Sequence, residues 1–158
     1  MPDIEFVRLN TIPKECFLNL MNNEKVRRYL PLLEGTFSEQ DYNKFLKSKQ
    51  KLWDEFGFGP WAIKIHGKFA GWGGLQPEGG NADFVLVLDP KFWGWGFKIF
   101  SAVKKHAYSN LPLKTITVLL PPSRVRLKFL FRLNFIEDGE VVINGKVFSR
   151  FRLAETDQ

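Results

Sequence analysis

Residues 84–97 read FVLVLDPKFWGWGF, and this stretch decides the fold because it predicts three elements in immediate succession. The apolar run from Phe84 to Leu88 is typical of a buried strand, which Asp89-Pro90 ends. After the glycines, apolar residues recur at spacings of three and four, as they do in an amphipathic helix. These helical positions are Phe97, Phe100, Val103 and Ala107. The sequence therefore predicts a strand, a glycine loop and a helix.

The loop between this strand and this helix suits an anion such as a phosphate. The start of a helix presents unpaired backbone N–H groups and the positive end of the helix dipole. Gly94 and Gly96 lack the Cβ atoms that would keep an anion from the backbone. A dinucleotide fingerprint is excluded because Ile99 stands where its third glycine belongs, and the Gly-Lys-Ser/Thr of a Walker loop is absent. The residues alone leave open a turn whose glycines serve geometry only.

The order of these residues resembles the acyl-CoA-binding motif of the GNAT superfamily of N-acetyltransferases. The likeness is greatest to the branch that acetylates the N-termini of ribosomal proteins. In that branch a strand ending in Leu-Asp-Pro leads into an aromatic-Trp-Gly-x-Gly-aromatic loop, which here corresponds to residues 88–90 and 92–97. The resemblance implies that the protein binds acetyl-CoA and transfers the acetyl group directly to a primary amine, on a protein N-terminus or a small molecule.

The composition predicts one globular domain, residues 1–158. The chain is 44% hydrophobic and 25% charged, as ordinary globular proteins are, and contains no apolar run that could span a bilayer and no signal-peptide pattern. Cys16 is the only cysteine, so a disulfide framework is excluded and a reducing compartment fits. Two scattered histidines argue against a His/Cys metal site. We therefore expect a cytoplasmic monomer or homodimer with no metal and no membrane partner.

The net charge of +6 would attract an anionic cofactor, but equally RNA or an acidic surface. An RNA-binding surface would use clustered basic residues with interleaved phenylalanines. The basic residues concerned are Arg124, Arg126, Lys128, Arg132, Arg150 and Arg152. We expect an amine-bearing acceptor as the partner rather than nucleic acid, and RNA binding stays an alternative.

The order of predicted elements indicates an α+β protein, and it agrees with the GNAT order over essentially the full chain. A strand and two short helices precede a helix that begins at Ser38, where Ser38 and Asp41 have capping-box spacing. Thr11 is the expected cap of the first helix. The resemblance implies a central mixed, mostly antiparallel sheet, flanked by helices and splayed between its fourth and fifth strands. Those strands would be residues 83–88 and 115–120, and two hairpins, 61–75 and 141–148, complete the sheet.

Asp83 is the best candidate for the base that acetyl transfer requires, since the attacking amine must lose a proton. It opens the central strand and shares a face with Val85 and Val87. The resembling branch often has Glu at this position. An acid at the start of a strand is commonly only a surface residue, so that alternative stays open.

The resemblance also implies which residues hold the cofactor and the acceptor. Residues of the central strand, the loop and a closing helix would contact acetyl-CoA, and Leu86 and Leu88 would do so through backbone groups. These residues are Leu86, Val87, Leu88, Trp93, Gly94, Trp95, Gly96, Phe97, Lys98, Ser123 and Arg126. Arg28 and Tyr29, in the second short helix, would contact the acceptor, although a solvated basic face explains the arginine equally well.

The periodicity of residues 123–133 fits either a strand or a helix, and the resemblance implies a helix that closes the cofactor cleft. This segment departs from the family pattern. Many GNAT enzymes have a tyrosine near position 130 that protonates the departing thiolate, and this chain has Leu130. This departure leaves open a GNAT-fold module that binds acyl-CoA or a protein partner without catalysis.

Overall fold

The computed structural model describes residues 3–112, 115–121 and 127–154, and their strands form one seven-stranded sheet with the order β1-β2-β3-β4-β5-β7-β6. Neighbouring strands are antiparallel except β4 and β5, which are parallel. The strands are β1 Ile4–Val7, β2 Pro60–Ile65, β3 Lys68–Glu78, β4 Asn81–Leu88, β5 Thr115–Leu120, β6 Ile136–Ile143 and β7 Lys146–Ala154. The predicted α+β class, with a mixed and mostly antiparallel sheet, is confirmed.

Helices cover both faces of the sheet. The helices are α1 Lys14–Met21, α2 Glu24–Arg27, α3 Glu39–Phe56, α4 Gly96–Asn110 and α5 Leu127–Arg132, with 3₁₀ helices at Leu9–Thr11 and Pro90–Trp95. Apolar residues of α1, α2 and α3 pack on one face of the sheet, and those of α4 and α5 pack on the other. None of the described helices is long and apolar enough to cross a membrane.

The alternation of side chains along β4 places this strand in both cores. Phe84, Leu86 and Leu88 pack in the core that contains α4, whereas Val85 and Val87 pack in the core that contains α1–α3. Asp83 alternates in step with the two valines, so its side chain lies on the α1–α3 face of the sheet.

The sequence predicts two helix N-caps, Thr11 and Ser38, and only Ser38 caps a helix in the structure. Ser38 and Asp41 make a reciprocal capping box at the start of α3: the Ser38 Oγ accepts from the Asp41 N–H at 3.1 Å, and the Asp41 carboxylate accepts from the Ser38 N–H at 2.8 Å. The expected cap at Thr11 is wrong. Its hydroxyl donates to the Arg8 carbonyl at 2.7 Å and closes the 3₁₀ helix, and α1 begins at Lys14 after Pro13.

The glycine loop is not an irregular loop but a 3₁₀ helix, Pro90–Trp95, that runs directly into α4 at Gly96. Pro90 suits its first position, and the Asp89 carboxylate accepts from the Lys91 N–H at 3.0 Å. The sequence did not predict this turn because two glycines and two tryptophans have no helical periodicity. The prediction that α4 follows immediately is confirmed.

Parallel pairing between β4 and β5 is confined to two residue pairs, Ala82 with Ile116 and Asp83 with Thr117. Beyond them β4 stays paired with β3 as far as Leu88, and β5 stays paired with β7 as far as Leu120. The two strands therefore separate after Asp83 and leave a gap in the sheet between them. The predicted splay between the fourth and fifth strands is confirmed.

Glycines in β3 bring β3 and β4 unusually close together. A Cβ on Gly71, whose φ is +154°, would lie 2.0 Å from the Val87 carbonyl oxygen, and a Cβ on Gly73 would lie 2.6 Å from that of Val85. These distances are far below any non-bonded contact, so no side chain fits at either position. Gly71 and Gly73 thus mark the positions where the backbones of β3 and β4 approach most closely.

Replacing Gly71 with Ala should destabilise the protein by about 3 kcal/mol or more, because the new Cβ would collide with a backbone carbonyl in a strained conformation. Gly94→Ala is the matched control, since nothing lies within 4 Å of its Cβ position, and it should change the free energy of unfolding by less than about 0.5 kcal/mol. Urea unfolding measures both. Equal effects of the two substitutions would contradict the close packing of β3 on β4.

Candidate active site

The edge of β4 that faces the gap carries backbone groups of Leu86 and Leu88. The carbonyls of Val85 and Val87 point toward β3, as their contacts with the glycines show. Because peptide groups alternate between the two edges of a strand, the carbonyls of Leu86 and Leu88 point toward the gap. The Trp93 indole N–H donates to the Leu88 carbonyl at 2.9 Å and so fixes the end of β4 against the 3₁₀ helix. Leu86 and Leu88 thus offer backbone groups to a ligand in the gap, and Val87 turns its carbonyl away.

The N-terminus of α4 is open beside this gap. Its N-cap residue is Trp95, and within residues 3–112 no side chain caps it. A Cβ on Gly94 would meet nothing within 4 Å, and a Cβ on Gly96 would meet only the Leu86 Cδ2 at 3.9 Å. The absence of side chains leaves space for an anion at the positive end of the helix. The contact between Gly96 and Leu86 places that space next to the gap.

The side chains of Trp95 and Lys98 form one cluster at the start of α4. The Trp95 ring lies 5.3 Å from the His66 ring, at the hairpin between β2 and β3. That hairpin is on the far side of β4 from β5, so the ring lies away from the gap. The Lys98 ammonium is 4.9 Å from the Trp95 ring, and Lys98 is exposed. Lys98 thus adds a positive charge to a helix start that already attracts anions.

Of the remaining predicted residues, Trp93 and Tyr29 lie together. Their rings meet edge to face at 6.0 Å, so the segment after α2 lies against the 3₁₀ helix. Phe97 and Arg28 are exposed. Ser123 and Arg126, the predicted cofactor residues of the closing helix, fall outside the described residues, whereas Leu130 is buried at 5% exposure in the α4 core.

Asp83 is buried, with 8% of its surface exposed, at the last residue pair before β4 and β5 separate. The Thr117 hydroxyl of β5 lies 2.8 Å from its carboxyl oxygen. Burial raises the pKa of Asp83 to about 7, and the nearby Glu78 carboxylate adds to the increase. The Thr117 hydrogen bond and the Arg150 charge act in the opposite direction. A carboxyl with a pKa near 7 is suited to act as a base at neutral pH.

Three further residues near Asp83 escaped the sequence analysis. Glu78 lies 2.9 Å from the Thr117 hydroxyl through its carboxylate and 3.3 Å from the Arg150 guanidinium. Glu78 directly precedes Gly79-Gly80, a composition typical of a loop, and Thr117 belongs to a β-branched run that predicts only a strand. Arg150 was considered only as part of an RNA-binding surface. Only the register of β3, β5 and β7 brings these side chains together, and register is not readable from one strand at a time.

On the α3 side, the half-buried Lys49 ammonium binds the residue that pairs with Asp83 across β3 and β4. Gln76 is opposite Asp83 in the register of β3 and β4, and Lys49 donates to the Gln76 side chain. The Lys49 ammonium also lies 5.6 Å and 5.4 Å from the rings of Phe45 and Trp72, and burial lowers its pKa. No pattern in the sequence marks Lys49, which stands among the polar positions of α3.

A second open groove lies elsewhere on the protein, between the 3₁₀ helix Leu9–Thr11 and α3. It has a volume of about 710 Å³ and is lined by residues that include Arg8, Lys47 and Trp53. The Arg8 guanidinium lies over the Trp53 ring at 4.6 Å. The groove shares no residue with the gap between β4 and β5, and it contains neither Asp83 nor the α4 N-terminus.

Residues 11–123 match the family model described as "Acetyltransferase (GNAT) domain". Among solved structures, spermidine N-acetyltransferase from Vibrio cholerae in complex with CoA and spermine superposes with a TM-score of 0.74 at 17% identity, over 98% of this chain and 95% of that one. An acetyltransferase from Agrobacterium tumefaciens gives a TM-score of 0.74 at 15% identity, over 95% of this chain and 90% of that one. A search of curated proteins by sequence found no match.

The buried carboxyl of Asp83 should make folding stability depend on pH. Its pKa, about 7 in the folded protein, exceeds its unfolded value of about 3.9. Between these values the native state holds a proton that the unfolded state lacks, so stability falls as pH rises. Asp83→Asn removes this loss and should become more stable than the wild type, by about 2–4 kcal/mol at pH 8 and by much less near pH 5.

Urea unfolding at both pH values measures the effect, with Asp54→Asn, a replacement on the exposed face of α3, as the control. A difference between Asp83→Asn and the wild type that stays constant from pH 5 to pH 8 would show that Asp83 does not titrate in this range.

Proposed function

The chain belongs to the GNAT family of acetyltransferases, and we propose that it acetylates the α-amino group of a protein N-terminus, or a small-molecule amine of similar basicity, with Asp83 as the base. It is an N-acetyltransferase that uses acetyl-CoA. One observation carries the proposal: the buried Asp83 stands at the last pair of β4 and β5, where the gap opens. A thioester placed in the gap would therefore reach the face of the sheet on which this carboxyl lies.

The residues around the gap fit acetyl-CoA. Its acetyl group is activated as a thioester, so the protein has only to orient it and to manage protons. The open N-terminus of α4 and the Lys98 ammonium would hold the diphosphate. Backbone groups of Leu86 and Leu88 would hydrogen-bond the pantetheine arm and polarise the thioester carbonyl. No side chain needs to carry the acetyl group, because the amine attacks the thioester directly.

The pKa of Asp83 supports an α-amine as the acceptor. An α-amino group has a pKa of about 8, whereas a lysine or alkyl amine has one of about 10. Moving a proton to a carboxyl with a pKa of about 7 costs roughly 1.4 kcal/mol from the first and roughly 4 kcal/mol from the second. This difference favours N-terminal α-amines, which are also the acceptors of the ribosomal-protein branch that the motif at residues 88–97 resembles.

The acceptor would approach across the α1–α3 face of the sheet. Tyr29 contacts Trp93, whose indole bonds the Leu88 carbonyl at the end of β4, so Tyr29 lies at the end of the gap beside the start of α4. Arg28, exposed beside it, would contact the chain that follows the amine. These two residues are our candidates for acceptor contacts.

A module that binds acyl-CoA without catalysis is the second candidate, and the observation in its favour is Leu130. Its side chain is buried in the apolar core and offers no proton to a departing thiolate. Release of free coenzyme A separates the two candidates, because a binding module would retain acetyl-CoA and release no thiol.

The proposal predicts acetyl-CoA-dependent transfer to a peptide with a free α-amine, and no transfer to the same peptide with a blocked N-terminus. The kcat/KM should rise as pH increases through about 7, because Asp83 acts in its ionised form. Asp83→Asn should lower kcat by about 10²–10⁴-fold and leave acetyl-CoA binding intact.

Thiol release at several pH values measures the rate, and calorimetry measures binding. Spermidine serves as the acceptor with amines of higher pKa and should react more slowly than the peptide at pH 7. Normal turnover by Asp83→Asn would contradict the assignment of the base.

A further inference from the structure

The Thr117 hydroxyl lies between two carboxyl groups. Its oxygen is 2.8 Å from the Asp83 Oδ1 and 2.9 Å from the Glu78 Oε2, and both distances are those of strong hydrogen bonds. A hydroxyl has one hydrogen, so it donates to only one of these oxygens and accepts from the other. Both bonds exist together only when one of the two carboxyl groups carries a proton.

The surroundings decide which carboxyl carries this proton. Asp83 is 8% exposed, whereas the Glu78 side chain is 28% exposed and lies 3.3 Å from the Arg150 guanidinium. Water and a cation stabilise a carboxylate, and burial destabilises it. The proton therefore lies on Asp83, which donates to Thr117, and Thr117 in turn donates to the Glu78 Oε2.

Arg150 is itself held in place from β6. Its Nε donates to the Asp138 carbonyl at 3.2 Å and forms an ion pair with the Asp138 carboxylate, also at 3.2 Å. The guanidinium thus spans two acids and fixes Glu78 at the outer end of the chain of hydrogen bonds. Glu78 has contact with solvent and can exchange a proton there.

We propose that Thr117 and Glu78 are positioning residues for acetyl transfer, forming a relay through which the proton taken up by Asp83 leaves the buried site. This inference rests on the proposed function and extends it to residues that touch no substrate. The amine loses a proton and Asp83 gains it. Asp83 then passes a proton to the Thr117 oxygen as Thr117 gives its own to Glu78, and Glu78 releases it to water.

Among the described residues, two further charged groups face this chain of hydrogen bonds. From α3, the Lys49 ammonium is bound to Gln76, which lies opposite Asp83. From β7, Arg152 lies opposite Thr117 in the register of β5 and β7 and has interactions of its own. The substitutions in the test leave these groups unchanged.

The arrangement predicts opposite effects of two substitutions on the titration of Asp83. Once Asp83 ionises, the Thr117 hydroxyl donates to its carboxylate. Thr117→Val keeps the shape but removes this hydrogen bond, so the midpoint should move up by about one pH unit. Glu78→Gln removes a neighbouring negative charge, so the midpoint should move down. Thr117→Ser retains the hydroxyl and should leave the midpoint at the wild-type value.

Carbon-detected NMR of protein labelled with ¹³C-carboxyl aspartate measures the midpoint on the free protein, and Asp83→Asn identifies the signal. An Asp83 midpoint that is the same in Thr117→Val as in the wild type, or one that moves equally in Thr117→Val and Thr117→Ser, would overturn the relay. So would an upward shift in Glu78→Gln.

The relay also predicts a kinetic signature that a structural role would not produce. Thr117→Val should lower kcat by about 10-fold or more near pH 7 and move the acidic limb of the pH–rate profile to higher pH, with the KM for acetyl-CoA unchanged. Thr117→Ser should restore both. If the wild type acetylates no amine, the proposed function fails whatever the titration gives. If it does, and Thr117→Val has the wild-type profile, the relay alone fails.

Discussion

The separation of β4 from β5 is the constraint on which the rest of the site depends. Parallel pairing stops at Asp83 and Thr117, because each strand is committed to another partner. Gly71 and Gly73 let β3 lie so close to β4 that the β4 carbonyls of Val85 and Val87 point toward β3. On the other side of the gap, β5 pairs with β7 along the whole length of β5. The gap therefore needs no ligand to hold it open. A preformed opening of this kind lowers the cost of ordering a bound molecule.

The same separation places a carboxyl where it is both buried and useful. Asp83 is buried where it pairs with Thr117 at the end of the contact between β4 and β5, so its charged form loses solvation and its pKa rises to about 7. A surface carboxylate, with a pKa of about 4, would be a far weaker base. Burial costs folding stability above neutral pH, and the Thr117 hydrogen bond offsets part of that cost. Stability and basicity at this residue are thus two results of one environment.

How much the sequence predicts depends on whether a feature is local. The strand and the helix within residues 84–110 follow from the spacing of their apolar residues, and the left-handed conformations at Asn144 and Gly145 follow from the turn chemistry of the 141–148 hairpin. The polar cluster around Asp83 does not, because Glu78, Thr117 and Arg150 are far apart in the chain and meet only through strand register. The Gly79-Gly80 turn gives the end of β3 a composition typical of a loop, so the sequence does not predict that Glu78 belongs to a strand.

The most direct test of the account is to map acetyl-CoA on the protein by amide chemical shifts in ¹H–¹⁵N NMR spectra. If the gap and the α4 N-terminus bind the cofactor, the largest shifts fall on the amides of Leu86, Leu88, Gly94, Gly96 and Lys98. Shifts confined to the groove that Arg8, Lys47 and Trp53 line would place the cofactor elsewhere and contradict the account.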